Sequence, residues 1–160
     1  MSVTLILILI LHGIYPPTQQ EIGEAAQHYV LGQEDYSVYS AAIDELYASD
    51  KVKLIVVINE TKASQMLKPL FSLRLKYKLI SKKEADELCI QCADTKFYEK
   101  YSDSPGYIRL SDISFNSQLN RASFLIQRYC GSLCAEGIYV TLIKKNGAWV
   151  IQRKEISWQS

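Results

Sequence analysis

The sequence predicts an α+β fold: a four- or five-stranded antiparallel sheet, packed on one face by N-terminal and central helices. Three observations predict it. Residues 107–158 read as four strands in succession, 107–115, 121–130, 137–144 and 148–158, with turn chemistry at each joint. Residues 34–48 place Val38, Tyr39, Ala42, Ile43, Leu46 and Tyr47 at three- and four-residue intervals, the spacing of one helix face. Between them, Leu54-Ile55-Val56-Val57-Ile58 is an unbroken apolar run, as in a strand buried on both faces. With 160 residues, 48% of them apolar and 22% charged, the chain suits one domain with a substantial core.

Taken in order, the chain opens on an apolar run, residues 3–11, followed by Gly13 as a small residue where a signal peptidase could cut. Residues 1–15 are therefore signal-like, although no Lys or Arg precedes the run. A buried strand is the other reading. A transmembrane helix needs about 20 apolar residues, so no integral membrane span is expected. Pro16-Pro17 breaks the chain, and a single α+β domain is expected over 18–160. Residues 18–31 carry weaker helical spacing, with Gly32 as a natural stop before the helix of 34–48. The strand of 51–58 should join the sheet. Asn59 to Thr61 forms a glycosylation sequon, which means little without a eukaryotic context.

Residues 66–79 are apolar enough for a helix, provided Pro69 sits in its first turn. Ser81-Lys82-Lys83-Glu84 is a capping-box arrangement that should open a helix reaching Tyr98, with Leu88, Cys92 and Phe97 turned inward. Residues 102–106 read as loop. Asn116-Ser117, Cys130 to Cys134 and Asn146-Gly147 then mark the three strand joints. Asn-Gly is the strongest, because both residues tolerate the positive φ of a type I′ hairpin turn. It sets a register with Leu142 facing Ile151, Ile143 facing Val150 and Lys144 beside Trp149.

Phe97-Tyr98-Glu99-Lys100-Tyr101, Ser104-Pro105-Gly106, Leu110-Ser111 and Phe115-Asn116 occur in that order. After them come Cys130-Gly131-Ser132-Leu133-Cys134, Gly137-Ile138-Tyr139-Val140, Asn146-Gly147-Ala148-Trp149 and Trp158. This series resembles a group of small, mostly uncharacterised bacterial proteins, often with export signals, that end in such a β-meander. The resemblance implies the fold of the last third and carries no activity and no catalytic residue. The chain departs from the pattern at Asp112, where a basic residue is usual, and at Ser114 and Ala135, which replace glycines.

A formal charge of +1 gives no global reason to expect nucleic acid as a partner. The charge is unevenly spread: residues 19–50 hold seven acids and no Lys or Arg, and residues 62–83 hold seven bases and no acid. Two solvated faces that can dock on each other are the expected outcome, with a basic patch for an anionic partner as the sharper alternative.

The four cysteines form two pairs, Cys89-x-x-Cys92 and Cys130-x-x-x-Cys134. Read together they could supply four thiolates to a structural zinc. In an exported protein, a Cys130–Cys134 disulfide across the turn is the expected state. Cys89 and Cys92 then act as small buried hydrophobes. A thioredoxin-like role would need the first pair at a helix N-terminus, and here it falls well inside the expected helix.

Catalytic patterns are scarce. His12 and His28 have no nucleophile or orienting acid beside them, and Glu34-Asp35 and Asp44-Glu45 look like a solvated helix face. Tyr29, Tyr36, Tyr39 and Tyr47 gather in the N-terminal helices, as the edge of a core or, with Tyr29, Tyr36 and Tyr39, as a partner surface. The expected function is a non-enzymatic exported protein that binds a protein or small-molecule partner through the helix-covered side of the sheet, without a cofactor. The alternatives are a small hydrolase or isomerase using a carboxylate and a tyrosine in a cleft between sheet and helices, and a structural zinc-binding module. Without export, the protein would be cytoplasmic.

Overall fold

The computed structural model describes residues 30–49, 51–88 and 96–160. The chain divides into a first unit, Met1–Val30, and a second, Leu31–Ser160, which carries every element below. The signal-like stretch 1–15 and the helix expected over 18–31, save its last two residues, lie outside the described residues. His12, His28 and Tyr29 lie outside them as well.

Helix α1 (Gln33–Tyr47) forms where the apolar spacing is strongest, and buries Tyr36, Val38, Tyr39, Ala42, Ile43 and Tyr47. At its start the Gly32 N–H donates to Asp35 Oδ2 at 2.8 Å, which satisfies one of the backbone donors that a helix end leaves open. Next come β1 (Leu54–Ile58), β2 (Lys76–Ile80), α2 (Lys82–Leu88) and α3 (Phe97–Lys100). Strands β3 (Tyr107–Leu110), β4 (Ser114–Phe115), β5 (Arg121–Gly131), β6 (Cys134–Lys145) and β7 (Ala148–Gln159) complete the unit.

The strands make one seven-stranded sheet in the order β2-β1-β3-β5-β6-β7, with β4 paired on β5. Strand β1 runs parallel to both β2 and β3, and all other pairings are antiparallel. The fold class is α+β as expected, but the sheet is mixed and larger than four or five antiparallel strands. The added strand is β2. Residues 66–79 do not form the expected helix, because their backbone donors find partners elsewhere. Tyr36, Ser40 and Asp44 stand at successive i, i+4 positions of α1. They accept the N–H groups of Lys68 (2.6 Å), Ser72 (2.9 Å) and Arg74 (3.0 Å) respectively. An extended segment thus runs along the helix, and Lys76–Ile80 then pairs with β1 residue for residue.

Those bonds also show that the acidic and basic stretches meet at one point, Asp44 with Arg74, whose Nε lies 3.4 Å from Asp44 Oδ2. Of the carboxylate pairs of α1, Glu45 is exposed as in a solvated face, but the other three carboxylates are engaged. Asp35 is 1% exposed, and Glu34 Oε1 accepts from both Lys144 Nζ (2.6 Å) and Trp149 Nε1 (2.7 Å).

The helix expected over 81–98 is observed as α2 and α3, with residues 89–95, including Cys92, outside the described residues. Ser81 Oγ caps it by accepting the Glu84 N–H at 3.0 Å, while the Glu84 carboxylate is taken by Lys100 Nζ and Tyr101 Oη, each at 2.8 Å. The strand expected over 107–115 is interrupted. At Ser111 the side-chain Oγ accepts the Leu125 N–H, and the path bends before β4 begins. The β6–β7 register is the expected one, and Asn146 (φ 50°) and Gly147 (φ 82°) both hold positive φ in the turn.

Two cores sit on the two sides of the sheet. The larger packs α1 and residues Leu67 and Phe71 on Ile55, Val57, Ile108, Leu110, Phe124, Ile126, Val140 and Leu142. The smaller packs α2, α3 and Tyr101 on Val56, Ile58 and Ile80. Strand β1 feeds both, which is why it is apolar at every position.

Candidate functional site

On β3, Ile108 and Leu110 belong to the core under α1, so Tyr107 and Arg109 point to the other side, where α2 lies. Tyr107 sits opposite Tyr129 of β5, their rings stacked with centroids 5.1 Å apart and planes 27° apart. Phe97 closes one end of this row, 6.0 Å from Tyr107, and Trp158 the other, 6.1 Å from Tyr129. Two glycines make the row possible. Gly106 (φ +114°) passes so close to the Tyr129 carbonyl that a Cβ would run into it. Gly137 leaves the space that the Trp158 indole occupies.

Beside this aromatic row, Lys82, Ala85 and Asp86 of α2 face Arg109 across a cleft of about 210 Å³ floored by Ile58. Arg109 lies opposite the buried Gln127 and has a side chain 25% exposed. Its Nη2 is 3.7 Å from Glu60 Oε1, while its Nε is buried and has no hydrogen-bond partner. A buried donor left unpaired costs about 1–3 kcal/mol, more when charged. Burial pushes the Tyr107 hydroxyl up to about 12, helped by Tyr129 and Asp86 and opposed by Arg109. At neutral pH that hydroxyl stays protonated, so it can donate a hydrogen bond but cannot serve as a base.

The same face of the sheet continues past the cleft over β5, β6 and β7. Along β5 the residues Gln127, Leu125, Ser123 and Arg121 alternate with the core residues Ile126, Phe124 and Ala122. Their neighbours across the register are Gly137, Tyr139, Thr141 and Ile143 of β6, and then Trp158, Glu155 and Arg153 of β7. A shallow depression of about 450 Å³ is lined by Arg121, Ser123, Tyr139, Thr141, Gln152 and Arg153.

The residues singled out by sequence fall elsewhere. Tyr36 and Tyr39 are 2% and 0% exposed and offer no partner surface. The Tyr36 ring meets Phe71 edge-on at 5.1 Å and that of Tyr39 meets Phe124 at 5.0 Å. The Tyr39 hydroxyl donates to the Ser111 carbonyl at 2.8 Å. Rings placed at helical spacing bury for their area, and a single hydrogen bond satisfies each hydroxyl. The α1 side of the sheet is filled by this core, so the cleft lies on the opposite side from the one α1 covers. Cys130 and Cys134 lie at disulfide distance, with Cα atoms 5.0 Å apart, and sulfurs joined to each other cannot act as zinc thiolates. Cys89 and Cys92 lie outside the described residues. Among the described residues no cluster of three or more His, Cys, Asp or Glu could hold a metal ion. No helix among them is long and apolar enough to cross a membrane.

No family model, curated protein or solved structure matches this chain. The cleft residues Tyr107, Arg109, Tyr129, Lys82 and Asp86 escaped sequence reasoning. One signal was available: Arg109 is a charged residue in the middle of a Tyr-Ile-Arg-Leu strand whose alternate positions are apolar.

Proposed function

We propose that this is a non-enzymatic binding protein, anchored on Arg109, whose cleft takes the carboxylate of an organic anion. The observation that carries this is the buried, unpaired Arg109 Nε beside a wall of stacked tyrosines. A guanidinium presents its donors in a planar fork that matches a carboxylate, and Lys82 adds a second cation at the rim. The protonated Tyr107 hydroxyl supplies a neutral donor. The polar groups described in the cleft lining are cations, phenol hydroxyls and the Asp86 carboxylate, which are suited to binding. The Cys130–Cys134 pair and the signal-like residues 1–15 support action in an oxidising compartment outside the cytoplasm.

The test is an NMR titration of the labelled protein with benzoate and glucuronate, set against their uncharged counterparts benzyl alcohol and glucose. The acids should shift the amides of Tyr107, Arg109 and Tyr129 where the neutral compounds do not. Arg109→Gln should abolish the shifts, and Arg109→Lys, which keeps the charge but loses the fork, should weaken them. No response to either acid in a folded protein overturns the reading.

A further inference from the structure

The cleft holds charges of both signs. Arg109 and Lys82 carry the positive ones, and Asp86 stands on the α2 wall, across the cleft from Arg109. Asp86 is exposed and, among the described residues, makes no hydrogen bond or ion pair. Arg109 keeps a loose ion pair with Glu60, Nη2 to Oε1 at 3.7 Å, which is beyond hydrogen-bond reach. Resting on the reading of Arg109 as a carboxylate anchor, we infer that the ligand is a free aromatic α-amino acid. Its carboxylate lies on Arg109, its ammonium on Asp86 and its ring against Tyr107 and Tyr129.

The balance of charge selects a zwitterion. Arg109 and Lys82 stand against Asp86 and Glu60, two cations against two carboxylates. A ligand with negative charge alone is attracted by the first pair and repelled by the second. An α-amino acid carries a carboxylate and an ammonium on one carbon and sets each beside the opposite sign. The two protein charges also work at one place. Both act on the Tyr107 hydroxyl, which Asp86 pushes up and Arg109 pulls down. That hydroxyl is a donor for the same carboxylate.

Size and lining select the rest. At about 210 Å³ the cleft falls below the roughly 300–1,000 Å³ of sites that enclose a drug-sized molecule. It suits one small molecule rather than a chain of units. Its floor, Ile58, and the Ala85 methyl on its α2 wall are apolar and buried. Tyr107 and Tyr129 are already stacked on each other, and a third ring can meet that row edge-on or offset.

The experiment is an NMR titration of the labelled full chain with phenylalanine and three analogues. Of these, 3-phenylpropionate lacks the ammonium, phenethylamine lacks the carboxylate and glycine lacks the ring. Phenylalanine should bind about three- to fivefold tighter than 3-phenylpropionate, the worth of one exposed charge pair, and tighter than the other two. Asp86→Asn, at an exposed position and checked for folding by its NMR dispersion, should move the two acids in opposite directions. Phenylalanine should weaken, and 3-phenylpropionate, relieved of a repelling carboxylate, should tighten. A merely structural role for Asp86 would move both the same way. Equal affinity for the two acids in the parent, or a variant that changes both alike, overturns the inference while the Arg109 anchor stands. Glycine binding as tightly as phenylalanine does the same. Phenethylamine binding tighter than phenylalanine overturns it in favour of a cation site. If phenylalanine, 3-phenylpropionate, benzoate and glucuronate all fail, the anchor reading falls together with the inference.

Discussion

The two halves of the sheet are built on different terms. In the half made by β2, β1 and β3, the strands run parallel and both faces are covered, by α1 with residues 59–75 on one side and by α2 and α3 on the other. Its central strand is apolar throughout, and four of its five residues are buried. In the half made by β5, β6 and β7, the strands run antiparallel and alternate. Phe124, Ile126, Val140 and Leu142 face the core under α1, while Ser123, Leu125, Tyr139 and Thr141 face the other way. Parallel strands need crossover connections, and those connections supply cover for both faces; hairpins supply none. The candidate site lies at the seam. Tyr107 and Arg109 are on the last parallel strand and Tyr129 and Gln127 on the first antiparallel one. Among the described residues, the cover given by α2 ends there, beside a cleft floored by Ile58.

That contrast can be broken by mutation. Phe97, the fully buried first residue of α3, should cost about 3–5 kcal/mol as Phe97→Ala, while Leu125→Ala on the antiparallel half should cost about 1 kcal/mol or less. Urea midpoints decide it, and equal losses would mean that the antiparallel half is covered in solution. A second comparison uses two glycines. Gly106→Ala combines φ +114° with a clash against the Tyr129 backbone, and should cost about 3 kcal/mol and unstack Tyr107 from Tyr129. Gly147→Ala suffers only its φ of +82°, with open space around the new methyl, and should cost about 1 kcal/mol.

Smaller effects sharpen the picture of the hairpin ends. Cys130→Ser/Cys134→Ser should cost about 2 kcal/mol or less and lower the melting temperature by a few degrees, because the bridged loop is short. Failure to fold would give the bridge a larger role than register-keeping.

The smallest expected effect is at the β6–β7 turn. The hydrogen bond from Lys144 holds the Glu34 carboxyl below its ordinary 4.5, with Trp149 adding to it and burial opposing. A lowered folded pKa means stability that is present above about 4.5 and lost as pH falls through the folded value. With a side chain 43% exposed, the gain is screened to about 0.5 kcal/mol. Glu34→Gln should therefore melt slightly below the parent at pH 7, and the gap should close toward pH 3. A gap that widens in acid would reverse the sign.

The local features were legible without coordinates. Helix α1 follows from the spacing of Val38, Tyr39, Ala42 and Ile43. The β6–β7 register follows from Asn146-Gly147, and the double burial of β1 from its unbroken apolar run. Each depends on neighbours within a few residues, where propensity and periodicity act. Residues 66–79 depart from their helical pattern because the donors of Lys68, Ser72 and Arg74 are satisfied by Tyr36, Ser40 and Asp44, some 30 positions earlier, and no local pattern announces such partners. The tyrosines of α1 were visible as a cluster, yet whether a ring faces core or solvent depends on what covers it. The site was hidden for the same reason. Arg109 and Lys82 are 27 positions apart in the chain, and only the crossover from β2 through α2 to β3 sets them on either side of one cleft. Backbone turns and periodic faces were determined by the sequence alone; which face was left open, and what gathered at its edge, was decided by the pairing of distant strands.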